Sequence, residues 1–262
     1  MHTLSSNNET ILFIGAHHEE IEAECPILPL KLSGKGHRVV ILDPVGGWNW
    51  SFIRGLGADG KERTINEAEE AASRLGCEKI IWDYPVAKVW EFRSEILQRM
   101  SDFILSLEPS IVFIHWPYDT HADHREIAKI SLHALRSAKN LTEDFRREMK
   151  VKEVYAFQTG IGQAYNFWPD FTVTGSEDEY KTAAHSLEAF HGTAKDNAKI
   201  WLSNVNAKAG YWGAFSGVEH AEAYKFIGPS FPLKGLKLAS ILGDEIKPAS
   251  YERWQREQGY LI

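Results

Sequence analysis

The sequence predicts an α/β protein built on a mostly parallel sheet with helices on both faces. Three observations carry that expectation. Short β-branched and aromatic runs bounded by Gly or Pro alternate with amphipathic segments through the first 160 residues. Runs such as "ILFIG" and "IVFI" are continuously apolar, as strands covered on both sides are. Strands separated by helices form βαβ units, whose crossovers make the strands parallel.

The strands expected in order are "TILFIGA" (10–16), "HRVVILDPV" (37–45), "EKIIWDYP" (78–85), "SIVFIHWP" (110–117) and "VKEVYAFQTG" (151–160). Between them "RTINEAEEAASRLG" (63–76) is rich in Ala and Glu and closes on a Gly where a helix C-cap belongs. From Glu91 to Leu107 apolar residues recur at threes and fours: Phe92, Ile96, Met100, Phe103, Ile104 and Leu107. Beyond residue 160 the pattern loosens, with a strand expected at 170–175 and helices at 177–191 and 194–209. No linker, repeat or low-complexity tract interrupts the chain. It is therefore expected to be a single domain over 1–262, with a flexible 1–9 and a less regular 161–262.

A length of 262 residues suits one large α/β domain, and 44% hydrophobic with 25% charged residues is an ordinary globular composition. Acidic residues outnumber basic ones 36 to 29, and no Lys/Arg stripe is available to neutralise phosphates, so nucleic acid is not an expected partner. No apolar run approaches the roughly 20 residues of a membrane span, and "MHTLSSNNET" lacks the features of a signal peptide. A cytoplasmic location follows as the expectation. The two cysteines, Cys25 and Cys77, form no metal or disulfide pattern and read as small buried residues.

Chemistry concentrates in two places. "GAHHEE" (15–20) follows the first strand, and "IHWPYDTHADHREIA" (114–128) contains the end of the fourth. In open parallel sheets, ligand sites form beyond the carboxyl ends of strands, so both clusters fall on the same edge. His17 and Glu20 are three apart, as are His121 and His124, so each pair can aim at one point on entering a helix. Imidazole with carboxylate is a zinc ligand set, and catalytic zinc sites use three protein ligands and leave a position for water. The groups on offer, His17, His18, Glu19, Glu20, His121, Asp123 and His124, exceed three. The surplus could serve as base, electrophile and orienting partner.

These residues carry a family resemblance. "GAHHEEIEAECP" resembles a variant of the A-H-P-D-D-E signature of the PIG-L/LmbE-like deacetylases, and "DTHADHREIA" resembles their H-x-D-H-R. "NEAEEAASRLG" (66–76) and "EHAEAYKF" (219–226) are similar to two further family segments. The resemblance implies a Rossmann-like fold and zinc-dependent removal of acetyl groups from N-acetylglucosaminyl compounds. It implies His17, Glu20 and His124 as metal ligands, Glu19 as general base, and His121 as the imidazole stabilising the oxyanion. Asp123 would orient a histidine. The implied cofactor is Zn2+, although the ligands also suit Fe2+ and other divalent metals. The implied partner is a small amino-sugar substrate, and homo-oligomerisation is left open.

Three departures stand out: His18 replaces the family's Pro, and both Asp positions are Glu. Each carboxylate then extends one methylene further, so activity requires the backbone to retreat or the side chain to fold back. The family's substrate-gripping Arg would fall on Thr64, with Arg63 one place away; Arg63 is a candidate for that role or an exposed first-turn residue. Trp48 and Trp50, in "VGGWNWSF" (45–52), are candidate sugar platforms or packing anchors. His115 reads as a core histidine. A catalytically silent sugar binder, an amidase for another amide conjugate and a metal-free Rossmann-like protein are the competing readings.

Overall fold

In the computed structural model, residues 8–143, 147–192, 194–228 and 235–248 are described. The expectation for residues 1–9 therefore lies largely outside them. The elements run β1 (Thr10–Ile14), α1 (Glu20–Glu24), α2 (Ile27–Gly34), β2 (Arg38–Val45), α3 (Ser51–Arg54), α4 (Gly60–Arg74) and β3 (Glu78–Tyr84). Next come α5 (Arg93–Leu107), β4 (Ile111–His115), α6 (Ala122–Leu141), β5 (Glu153–Phe157), β6 (Phe171–Gly175) and α7 (Glu177–His185). The described elements end with α8 (Lys195–Ser216), β7 (His220–Gly228), α9 (Lys237–Leu242) and β8 (Ile246–Pro248).

One eight-stranded sheet has the order β3-β2-β1-β4-β5-β7-β6-β8. Strands β3 to β5 in that order are parallel, as predicted, while β7, β6 and β8 extend the sheet by antiparallel pairing. The chain leaves β1 for β2 on one side and later enters β4 on the other. The sheet thus has a topological switch point between β1 and β4, the place where open α/β sheets put their ligand sites. Their register, Ile11↔Ile111 through Ile14↔Ile114, brings both His/carboxylate clusters to the same place.

Alternation along β1 explains why both faces must be covered. Ile11 and Phe13 join a core with Leu28, Leu32, Ala72, Leu75 and Tyr224, so α2 and α4 lie on that face. Leu12 and Ile14 face the opposite way, onto Ile96, Met100 and Ile104 of α5 and Ile127, Ile130 and Ala134 of α6. Phe13 stacks on Phe113 across the β1–β4 pair with ring centroids 4.4 Å apart.

The later helices differ from expectation in extent. The segment 177–191 divides into α7 and a 3-10 turn at Ser186–Ala189. Helix α8 runs past Gly210 and Gly213 and stops only at Gly217, whose positive φ of 70° closes it. Gly213 stays helical because the chain returns against it: a Cβ there would lie 2.3 Å from the Glu219 carbonyl oxygen.

Candidate active site

The approach to the site begins at Gly15, just past β1. A Cβ at this position would lie 2.3 Å from Oδ1 of Asp43, so a glycine lets β1 pass beside that carboxylate. Asp43 is held from behind by Lys79 at 2.6 Å, and the same ammonium lies 3.0 Å from each oxygen of Glu22. This fully buried trio pins β2, β3 and α1 together. Burial pushes the Asp43 carboxyl up to about 7 despite Lys79.

Glu20 is the centre of the cluster, and its side chain folds back. Oε2 accepts from the backbone amides of Ala16 (2.5 Å) and His17 (3.1 Å), and meets His115 Nε2 at 2.5 Å. Oε1 lies 2.7 Å from His17 Nδ1 and 2.5 Å from His124 Nε2. The extra methylene is thus absorbed by curling onto the chain's own amides. Burial would raise the pKa of this carboxyl, but the His124, His115 and His17 imidazoles hold it well below the usual carboxylate range.

Each of the two histidines on Oε1 has a carboxylate on its other ring nitrogen. Asp123 Oδ2 lies 3.2 Å from His17 Nε2 and also accepts from the Ala87 amide at 2.8 Å. Asp119 Oδ1 lies 3.3 Å from His124 Nδ1 and accepts from the His121 amide at 2.7 Å, while its Oδ2 takes the Thr159 hydroxyl. A carboxylate behind an imidazole fixes tautomer and ring orientation, the usual support of a metal-ligating histidine. Burial lowers both imidazoles but the facing carboxylates win, raising His17 to about 9 and His124 to about 10.

His121 caps α6: its Nδ1 accepts from the Asp123 amide at 3.3 Å. A ring whose Nδ1 accepts carries its proton on Nε2. Burial and the charges of His17 and His124 lower His121 to about 4, so it is a neutral donor. Its ring stacks on His124 at 4.4 Å and meets His17 edge-on at 4.9 Å. Glu19, at the N-cap of α1, is buried, and burial pushes its carboxyl up to about 8.

Arg63 and the tryptophans stand differently. Arg63 is exposed on α4, and a Cβ at Gly192 would lie 2.6 Å from both its Nη2 and Oε1 of Glu67. Trp50 is half-buried against His17 (4.9 Å) and His18 (5.6 Å). Trp48 is half-buried across Gly46, stacks on His18 at 6.3 Å and carries Lys61 at 5.2 Å from its ring centroid. Both rings thus pack against the site's histidines. Asp119 is the residue sequence reasoning missed, while His115, at the end of its strand, could be read either as lining the pocket or as core. His115, read as a core histidine, is indeed fully buried, but it grips Glu20 and stacks on His124 at 4.5 Å.

The donor set suits a divalent metal. Two overlapping groups, His17–His121–His124 and Glu20–His115–His124, each offer three ligand atoms within 4.8 Å of one another. The expected trio His17, Glu20 and His124 spans the two, joined at Glu20 Oε1.

Residues 12–135 match the PIG-L family, described as GlcNAc-PI de-N-acetylase. Both halves of the site, from Gly15 to His124, fall within the matched segment. Among solved structures, the fold is similar to that of N,N'-diacetylchitobiose deacetylase from Pyrococcus horikoshii, at 17% identity and a TM-score of 0.68, covering 84% of each chain. GalB, the 4-carboxy-2-hydroxymuconate hydratase from Pseudomonas putida KT2440, is similar at 16% identity and TM-score 0.67, covering 86% of this chain and 98% of that one. A zinc-inhibited form of teicoplanin deacetylase Orf2 is similar at 11% identity and TM-score 0.62, covering 84% of this chain and 100% of the other. At these identities the likeness speaks for the fold alone and leaves the reaction to the site. Among the described residues, no helix is long and apolar enough to cross a membrane.

Proposed function

We propose that this chain is a metal-dependent amide hydrolase that removes the acetyl group from an N-acetylglucosamine-type amino sugar or its conjugate. One observation carries the reading. A single carboxylate oxygen, Glu20 Oε1, stands between His17 Nδ1 and His124 Nε2, and each of those rings is backed by its own aspartate. His17, Glu20 and His124 would hold the metal, with Zn2+ as the first candidate and Fe2+ suited to the same donors. When bound, such an ion supplies Lewis acidity and makes water nucleophilic near neutral pH.

The chain's own residues supply the rest. Glu19 adjoins the ligand pair in sequence and takes the proton of the attacking water as general base. Its burial favours such a role, because a carboxyl raised towards neutrality both accepts and returns a proton. His121 presents a neutral Nε2–H, fixed by its capping bond, as a donor to the developing oxyanion. Protonated Glu19 or His121 then returns a proton to the departing amine. Asp119 and Asp123 keep His124 and His17 in their working tautomers.

Elemental analysis of purified protein and acetate release from N-acetylglucosamine derivatives test the reading together. One bound divalent metal per chain and metal-dependent acetate release are expected, with Glu19→Ala slowing turnover about 10²–10⁴-fold. Full activity in Glu19→Ala would remove the base, and metal binding without turnover on any amide would remove the hydrolase. Glycan binding without hydrolysis would mark a silent sugar binder.

A further inference from the structure

His18 stands where the family signature has proline, and the chemistry above leaves it without a task. Its ring is fully buried, yet neither Nδ1 nor Nε2 has a hydrogen-bond partner. The rings of Trp50, Trp48 and Phe190 surround it at centroid distances of 5.6, 6.3 and 6.0 Å. Placing an imidazole in an aromatic box is unfavourable unless one of its nitrogens is used.

The neighbouring group with the complementary need is Glu19. Its Oε2 is also buried without a partner, and it lies 3.5 Å from His18 Nδ1. That separation is just beyond good hydrogen-bond geometry, and a shift of a few tenths of an ångström closes it. No other acceptor engages the ring, so its proton is uncommitted. Two of the three departures from the resembled signature are adjacent and complementary: a carboxylate one methylene longer, and beside it a donor that proline cannot offer.

We propose that His18 is a positioning residue for Glu19, its Nδ1–H donating to Oε2 so that the longer carboxylate keeps one bearing towards the His17–Glu20–His124 cluster. The role rests on the hydrolase reading for its purpose, but the His18–Glu19 pair itself does not. A base held by one imidazole loses a rotational freedom that would otherwise spread its carboxylate over several orientations.

The experiment has two arms. In the metal-free protein, 15N spectra of the His18 ring should show the proton on Nδ1, and Glu19→Ala should move that resonance. A proton on Nε2, or an Nδ1 signal indifferent to Glu19→Ala, would overturn the pair. In the metal-loaded protein, His18→Phe should lower kcat about 10–100-fold with KM and metal stoichiometry unchanged. His18→Asn, which keeps a donor near Nδ1, should stay within about threefold of wild type, a rescue that a space-filling role would not give. Equal losses in Phe and Asn would overturn the positioning role. Should the Phe variant fail to fold, the Asn variant and the spectra decide. Absence of any amide hydrolysis by the wild-type protein defeats the functional proposal, while the 15N arm still tests the contact on its own.

Discussion

An aspartate at position 20 would end one methylene short of the contacts that hold the glutamate. Glu20 reaches the Ala16 and His17 amides with one oxygen and the His17 and His124 rings with the other. Shortening it forfeits one set or the other. Glu20→Asp, although it restores the residue of the resembled signature, is therefore expected to weaken retention of the proposed metal about 10–100-fold. Titration against a competing chelator measures this, and equal or tighter binding would contradict the fold-back account. At this scale the sequence is legible where polar groups cluster. His17, Glu19, Glu20, His121, Asp123 and His124 stand in two dense motifs, and the structure brings those motifs together at the ends of β1 and β4. His115 and Asp119 are harder to read: a lone histidine closing an apolar strand looks like core, and an aspartate in "WPYDT" looks like a turn residue. The signal was position alone, since both lie on the strand edge where the other His and carboxylate groups gather.

Among the elements, two strands use one device. Glu222 on β7 accepts from the Ile27 and Leu28 amides at the start of α2, at 2.6 and 2.9 Å, with Tyr224 donating to it at 2.7 Å. Glu153 on β5 accepts from the Lys237 and Leu238 amides at the start of α9, and Tyr155 donates to it at 3.0 Å. Each Glu-x-Tyr puts acid and phenol on one strand face because side chains repeat every two residues. The acid then satisfies helix amides that have no internal partner. Glu222→Ala should destabilise the fold by about 2 kcal/mol or more, lowering Tm by roughly 4–8 °C. A thermal melt within 1 °C of wild type would discount the cap. Strands β1 to β6 were legible from short apolar runs. Helix α2 was not, because "ILPLKL" is buried on most sides and so shows no polar stripe, and Pro29 hides a helical first turn. Strand β7 was hidden in a segment whose polar Glu222 points inward to its cap.

Across the whole molecule, charged links fasten the C-terminal part to the N-terminal part. Lys208 on α8 reaches Glu24 on α1 and its carbonyl, Lys31 on α2 meets Glu179 on α7 at 2.6 Å, and Lys237 on α9 meets Glu9. With the sheet continuous from β3 to β8, one cooperative unfolding transition is expected. The pH dependence of the α2–α7 link has a definite sign. Burial would raise Glu179, but the Lys31 hydrogen bond and the Ser176 amide lower it below its unfolded value. A depressed carboxyl adds stability above its unfolded value of about 4.3 and loses it as pH falls through the folded value. Wild type should therefore melt above Glu179→Gln at pH 7, and the two should converge as the pH drops below about 4. A gap unchanged from neutral to acidic pH would show that the pair contributes through shape alone.

The fold-back of Glu20 also constrains ancestry. Its oxygens are spoken for by the backbone of Ala16 and His17 and by three imidazoles, and the neighbouring Glu19 faces the His18 ring. Positions 18, 19 and 20 are then epistatic. On the proposed roles, a lineage moving between Pro-Asp-Asp and His-Glu-Glu one codon at a time would cross forms with a mis-set ligand or a loose base. The triplet should therefore be inherited as a block, and chains carrying one of its members without the others should be scarce.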